Sequence, residues 1–173
     1  MIEVAIRPEH SADVIGVRQV NERAFGRPAE ADLVDALRGS DGSISIVATM
    51  AEAVIGHIMF TPVALDDAAD VRVAGLAPMA VLPEHQRAGV GAHLIRAGLV
   101  ACREHGYAAV IVVGHPEYYP RFGFAPAHGY GLRCEFPVPP EAYMVAVLDA
   151  HVLPHLTGLV RYRPEFAAAG REA

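Results

Sequence analysis

Gly75 to Gly106 reads GLAPMAVLPEHQRAGVGAHLIRAGLVACREHG, and its periodicity changes twice. Residues 76–82 are an apolar run of strand length, closed by Pro83, which has no N–H for a ladder. Residues 83–87 form a polar loop ending on the charge of Arg87. From Gly89 onward Val90, Leu94, Ile95, Leu99 and Cys102 recur at helical spacing, with Arg96, Arg103 and Glu104 off that face. Gly106 stands where a left-handed C-cap belongs.

Strand, glycine-bearing loop and helix start together make an anion site. The first amides of a helix have no intrahelical acceptor, and the helix dipole adds positive potential there. Gly89 and Gly91 lack a Cβ, so oxygens of a ligand can approach the backbone, and Arg87 adds a two-pronged donor. The expected ligand is a phosphate or diphosphate.

Three phosphate-binding loops compete for this pattern. A P-loop requires Gly-Lys-Ser/Thr, and all fourteen basic residues here are arginine. A dinucleotide fingerprint requires a small residue where Leu94 stands, and an acidic residue about twenty positions on, where 110–113 is wholly apolar. The remaining pattern is Gln/Arg-x-x-Gly-x-Gly/Ala after a Val-x-Pro strand end, matched by Val81-Leu82-Pro83 and Gln86-Arg87-Ala88-Gly89-Val90-Gly91. It resembles the acetyl-coenzyme A loop of the GNAT superfamily of N-acetyltransferases.

Composition narrows the class. A chain of 173 residues is large enough for one domain with a sizeable core, taken as 1–148 with an extension over 149–173. Hydrophobic content is 53%, much of it alanine, but no apolar run reaches the roughly eighteen residues of a membrane helix. The start, MIEVAIRPEH, lacks the basic-then-apolar order of a signal peptide, so a cytoplasmic protein without a membrane partner is expected. A net charge of −6 disfavours nucleic acid and mildly favours amine substrates. Cys102 and Cys134 are too few for a disulfide framework. His151 and His155 have helical metal-ligand spacing, but Pro154 interrupts it and no third ligand is evident, so no metal is expected.

Elsewhere the pattern predicts a strand over 2–6, a helix from Ser11 or Asp13 to Phe25, and a second helix over 29–38. A hairpin over 44–50 and 53–61 turns at Ala51-Glu52, and an acidic turn over 66–70 leads to a central strand that can begin at Val71. The β-branched run 108–113 reads as a strand buried on both faces. Two prolines leave 115–124 room for only a short helical turn. Strands follow over 132–136, 143–148 and 158–162, and the end reads as frayed.

This order of strands and helices is the GNAT order, an α/β mixed sheet, and a second motif agrees with it. Tyr119-Pro120-Arg121-Phe122-Gly123-Phe124 resembles the superfamily's Tyr-x-x-x-Gly-Phe segment after the fifth strand, and the wording of 115–124 is similar to the YhbS-like branch. The resemblance covers about 2–148 and implies the following chemistry. The fourth and fifth strands splay, and the pantetheine arm of acetyl-CoA pairs with the backbone of Met79, Ala80 and Val81. The diphosphate takes the amides of Arg87, Ala88, Gly89, Val90, Gly91 and Ala92. The side chains of Met79 and Val81 are read as core. Tyr119 donates the proton to the departing thiolate; the spacing of four to Gly123 selects it over Tyr118.

An amine of pKa about 10.4 is mostly protonated at neutral pH, so a base is also needed. The residues leave it open among Glu22, His57, His115 and a water chain. The expected activity is acetyl transfer from acetyl-CoA, as co-substrate, to an amine of a small molecule or protein, by direct attack in a ternary complex. The alternative is a non-catalytic acyl-CoA-binding regulatory module. The family and the apolar stretch 152–160 point to a homodimer.

Overall fold

A computed structural model of the chain describes residues 3–169. Its strands are β1 (Val4–Pro8), β2 (Ile44–Met50), β3 (Ala53–Leu65), β4 (Val73–Val81), β5 (Ala109–Val113), β6 (Ala125–Pro126), β7 (Leu132–Cys134), β8 (Tyr143–Val147) and β9 (Gly158–Arg161). Its helices are α1 (Val14–Phe25), α2 (Ala29–Leu37), α3 (Val90–Glu104) and α4 (Pro164–Ala169). Two compact units divide the chain, neither continuous in sequence. The first takes the residues up to Phe60, Ala77–Gly98 and those from Pro164 on; the second takes Thr61–Leu76 and Leu99–Arg163.

In the first unit β1 runs antiparallel to β2, and β2 to β3. Ala51 and Glu52 turn the β2–β3 hairpin with φ of 49° and 66°, the two left-handed residues that a type I′ turn demands. Val17 of α1 and Leu33, Val34 and Leu37 of α2 bury their apolar faces with Val47 and Met59. Phe60, one residue on from Met59, points to the opposite face of β3, as strand alternation requires. There α3 approaches so closely that a Cβ on Gly98 would lie 2.3 Å from the Phe60 ring.

In the second unit β4 and β5 are parallel over Val73↔Ala109 to Leu76↔Val112. Their ladder ends at Leu76↔Val112, one residue before the end of β5, while β4 runs on to Val81. β5 pairs antiparallel with β8, and β8 with β6. Four of the five β5 residues are 0–1% exposed, so the strand is covered on both faces as its composition predicts, and only Val113 emerges.

The later part of the chain departs most from expectation. The strand over 132–136 shortens to Leu132–Cys134 and pairs in parallel with β9, while Ala125–Pro126 supplies an unforeseen partner for β8. The end is not frayed as far as it is described. Leu156 and Val160 are buried in the second unit's core, and Phe166 and Ala169 of α4 pack against the first unit's core. Leu156 and Val160 of the apolar stretch are thus covered by their own chain, while Leu153 stays exposed. The expected strand start at Ile2 lies outside the described residues, as do 170–173 of the extension. Among the described residues no helix is long and apolar enough to cross a membrane.

Candidate active site

The loop between β4 and α3 has the form an anion site needs. A 3₁₀ turn, Pro83–His85, ends the strand, and Arg87 and Gly89 then both adopt left-handed backbone, with φ of 61° and 88°. For Arg87 this is an uncommon conformation of the kind held at functional sites. For Gly89 it explains the glycine: a Cβ there would meet nothing within 4 Å, so backbone freedom is required, not space. His93 is the first residue to donate along the helix, to the Gly89 carbonyl at 3.1 Å. The amides of Val90, Gly91 and Ala92 therefore start the helix without intrahelical acceptors. Arg87, Ala88 and Gly89 are exposed, Gly91 and Ala92 are half-buried, and Val90 is buried.

Before the loop, Ala77, Met79 and Val81 are half-buried while Pro78 and Ala80 are buried. The period-2 alternation turns the Met79 and Val81 side chains toward a partly open face, correcting the expectation that they belong to the core. The Val81 carbonyl already accepts a bond from Gln86 Nε2 at 3.0 Å, which ties the loop back to its strand. Arg23 of α1 grips Glu84 with both Nη atoms, at 3.0 and 3.1 Å.

Tyr119 opens a 3₁₀ turn, Tyr119–Phe122, capped by left-handed Gly123. Its ring is 6% exposed and meets Tyr118 and Phe124 edge-on, with centroids 5.3 and 5.4 Å away. Gly114 lets it lie against the end of β5: a Cβ there would sit 2.2 Å from Tyr119 Cε2. Burial, helped by the neighbouring Tyr118, pushes the phenol up to about 12. It therefore stays protonated at every working pH, which suits a proton donor and excludes a base.

The three proposed bases part company. His57 is 0% exposed, with both ring nitrogens engaged: Asn21 Nδ2 lies 3.1 Å from Nδ1 and Ser45 Oγ 2.9 Å from Nε2. Asn21 Nδ2 also donates to the Val17 carbonyl at 2.9 Å, so the same amide donates to Nδ1, and the Nε2–H tautomer donates to Ser45. Ser45 Oγ donates in turn to Glu9 Oε2, and Arg38 Nε holds Glu9 at 2.8 Å. Burial, then the Arg38 charge, lowers His57 to about 3. No lone pair is left for a substrate proton. Glu22 is half-buried with Arg18 Nε at 2.9 Å, and His115 is exposed, its carbonyl accepting from the Tyr118 and Tyr119 amides. No group of three His, Cys, Asp or Glu residues able to hold a metal occurs among the described residues.

Known proteins resolve what this arrangement belongs to. The family model for the acetyltransferase (GNAT) domain matches residues 5–127. The chain belongs to the GNAT family. Within it, this GNAT chain is 39% identical to the uncharacterized N-acetyltransferase YhbS of Escherichia coli K12, over 93% of the chain and 97% of that protein. A second relative from that organism, the uncharacterized N-acetyltransferase YjhQ, is 39% identical over 87% of each chain. The crystal structure of E. coli YhbS in complex with CoA superposes with a TM-score of 0.89 at 38% identity, covering 96% of this chain and 93% of the other. A Brucella melitensis GNAT acetyltransferase in complex with acetyl-CoA gives 0.77 at 32%, covering 96% and 99%. The protein is thus an N-acetyltransferase of the GNAT type.

The motifs did not point to Gly114 or to the ring of Tyr118, both of which hold Tyr119. A glycine directly after a β-branched strand was the available signal, since nothing else in 109–118 tolerates such close approach.

Proposed function

We propose that this GNAT enzyme binds acetyl-CoA with its diphosphate on the amides from Arg87 through Ala92 and its pantetheine arm along the backbone of Met79, Ala80 and Val81. The observation that carries the reading is the helix start at Val90, its first amides without intrahelical acceptors, behind an exposed, left-handed Arg87 and Gly89. The acceptor is a primary amine of a small molecule or a protein. Its nitrogen attacks the thioester carbon, the C–N bond forms, and a base takes the surplus ammonium proton. The C–S bond then breaks, and Tyr119 gives its phenolic proton to the departing sulfur.

A phenol near 12 is a weaker acid than the thiol it would protonate, whose reference value is about 8.5. Transfer to a finished thiolate is therefore uphill on its own. Tyr119 lowers the barrier by hydrogen-bonding the charge that builds on sulfur, and gives up its proton only as the C–S bond is lost and the product leaves. Glu22 and His115 remain as bases beside a water chain; replacing each singly identifies the one whose loss removes the pH dependence of kcat/KM. One functional domain in the cytoplasm is the matching cellular reading. A homodimer, if formed, leaves Leu156 and Val160 in the core of each copy, and sedimentation at high concentration tests it.

The decisive experiment is a melting-shift comparison of CoA, NAD(P) and ATP. A rise with CoA alone is expected; a response to NAD(P) and none to CoA would reject the proposal. A Tyr119→Phe variant that binds CoA and has lost turnover separates the enzyme from a non-catalytic acyl-CoA-binding module.

A further inference from the structure

An acceptor amine must come to rest beside the thioester sulfur, and on the proposed mechanism that is beside Tyr119. The charges around Tyr119 in the second unit are therefore charges that an acceptor meets. The Tyr119 ring touches Tyr118 edge-on with centroids 5.3 Å apart, and Arg121 Cζ lies 4.8 Å from the centroid of that same Tyr118 ring. Guanidinium and phenol are thus separated by the width of one side chain. The thioester and pantetheine end of the coenzyme is uncharged, so an anion bound at this turn comes from the acceptor.

Arg121 is equipped for one. Its Nε donates to the Tyr118 carbonyl at 3.0 Å, its two Nη groups bond no protein group among the described residues, and no carboxylate lies within ion-pair distance of it. By contrast Arg7, Arg18, Arg23, Arg27, Arg38 and Arg161 are each bonded to a carboxylate. Arg72, also stacked on a tyrosine, commits Nη1 to the His105 carbonyl at 2.6 Å. Arg121 is exposed, yet ring and carbonyl fix the plane of its guanidinium. Both partners are neutral, so the whole positive charge stays available in a chain of net charge −6. Two parallel N–H donors in a fixed plane match the two oxygens of a carboxylate. Because the plane is set before anything binds, less ordering is lost on binding.

From this geometry we infer that Arg121 selects an acceptor bearing a carboxylate a few bonds from its amine, as a free amino acid does; the inference rests on the acetyl-CoA reading above. The carboxylate takes the Nη groups and is not consumed, while the amine is held toward the thioester. The test is acetylation by the whole protein of amino acids paired with their carboxamides. The kcat/KM ratio within each pair is compared between wild type and variant, which cancels the differing basicity of the two amines. Arg121→Ala is expected to shrink the advantage of the carboxylate member about tenfold, through KM, the scale of one charge-assisted pair. Arg121→Lys keeps part of the advantage, and added salt shrinks it in wild type. Arg121→Gln keeps a donor for the Tyr118 carbonyl without the charge, and is expected to follow the alanine variant with an unchanged melting temperature. Calorimetry of N-acetyl amino acids on the CoA-loaded protein is expected to rank the variants the same way without turnover.

A ratio that is equal in wild type and in the alanine and glutamine variants overturns the inference. So does a wild type that binds CoA but acetylates no carboxylate-bearing amine of the panel. An equal loss of kcat for both members of a pair also overturns it, and assigns Arg121 to holding Tyr118 against Tyr119. If CoA fails to raise the melting temperature at all, the acetyl-CoA reading itself falls, and the inference with it.

Discussion

His57 in the first unit and Tyr119 in the second are both titratable rings shut away from water, and burial keeps both neutral. It does so in opposite directions, lowering the imidazole to about 3 and pushing the phenol up to about 12. The consequences for chemistry also differ. A neutral phenol keeps the proton that a leaving sulfur needs. A neutral imidazole keeps a lone pair, but that of His57 is given to Asn21 and its N–H to Ser45. The comparison teaches that a perturbed pKa marks a site only where the surviving protonation state still has something to offer a substrate. On the proposed mechanism one ring reacts, and the other holds β2, β3 and α1 together.

Substitutions can break or sharpen that contrast. The largest effect is expected for Tyr119→Phe, with kcat falling about 10²- to 10⁴-fold while CoA affinity, read by calorimetry, changes little. His57→Ala is expected to do the reverse, costing about 2–4 kcal/mol in a denaturant titration, because a cavity opens and the buried Asn21 amide loses a partner. Its activity per folded molecule is expected to hold; a loss matching that of Tyr119→Phe would return His57 to the reaction. Gly114→Ala sets a methyl against the Tyr119 ring, and about 1–3 kcal/mol of overpacking is expected together with a loss in kcat that exceeds any loss in CoA affinity.

The titration of His57 gives a pH prediction with a definite sign. Its folded-state value lies below the unfolded one, so the unfolded chain takes up the proton first. Stability is whole above about pH 6.5 and declines by about 1.4 kcal/mol per pH unit toward pH 3, the midpoint in denaturant moving accordingly. A His57→Ala protein is expected to lose that slope. The smallest change is Gly89→Ala, where a left-handed alanine costs about 1 kcal/mol and weakens CoA binding about fivefold without altering kcat.

The parts proposed to bind and react are legible because they are local. The strand end, the turn at Arg87 and the helix start occupy adjacent residues, and Tyr119 is fixed by its distance to Gly123 within one turn. The status of His57 was not legible, because it depends on Asn21, 36 positions away, and Ser45, 12 away. A histidine in a strand carries no sign of whether its nitrogens will be spent. The parallel pairing of β7 with β9 was hidden for the same reason, since a three-residue strand takes its partner from tertiary packing. Met79 and Val81 misled through their side chains: both are apolar enough for a core, yet alternation sets them on the partly open side of β4.

The seating of α4 bears on how the protein is made. Its residues come from the last tenth of the chain, yet they complete the packing around Leu33, Val34 and Leu37 near the beginning. During synthesis that early core waits, unfinished, until α4 has emerged from the ribosome. A nascent chain stalled before Pro164 is for that reason expected to present an apolar seat to chaperones, and capture of such stalled chains tests it.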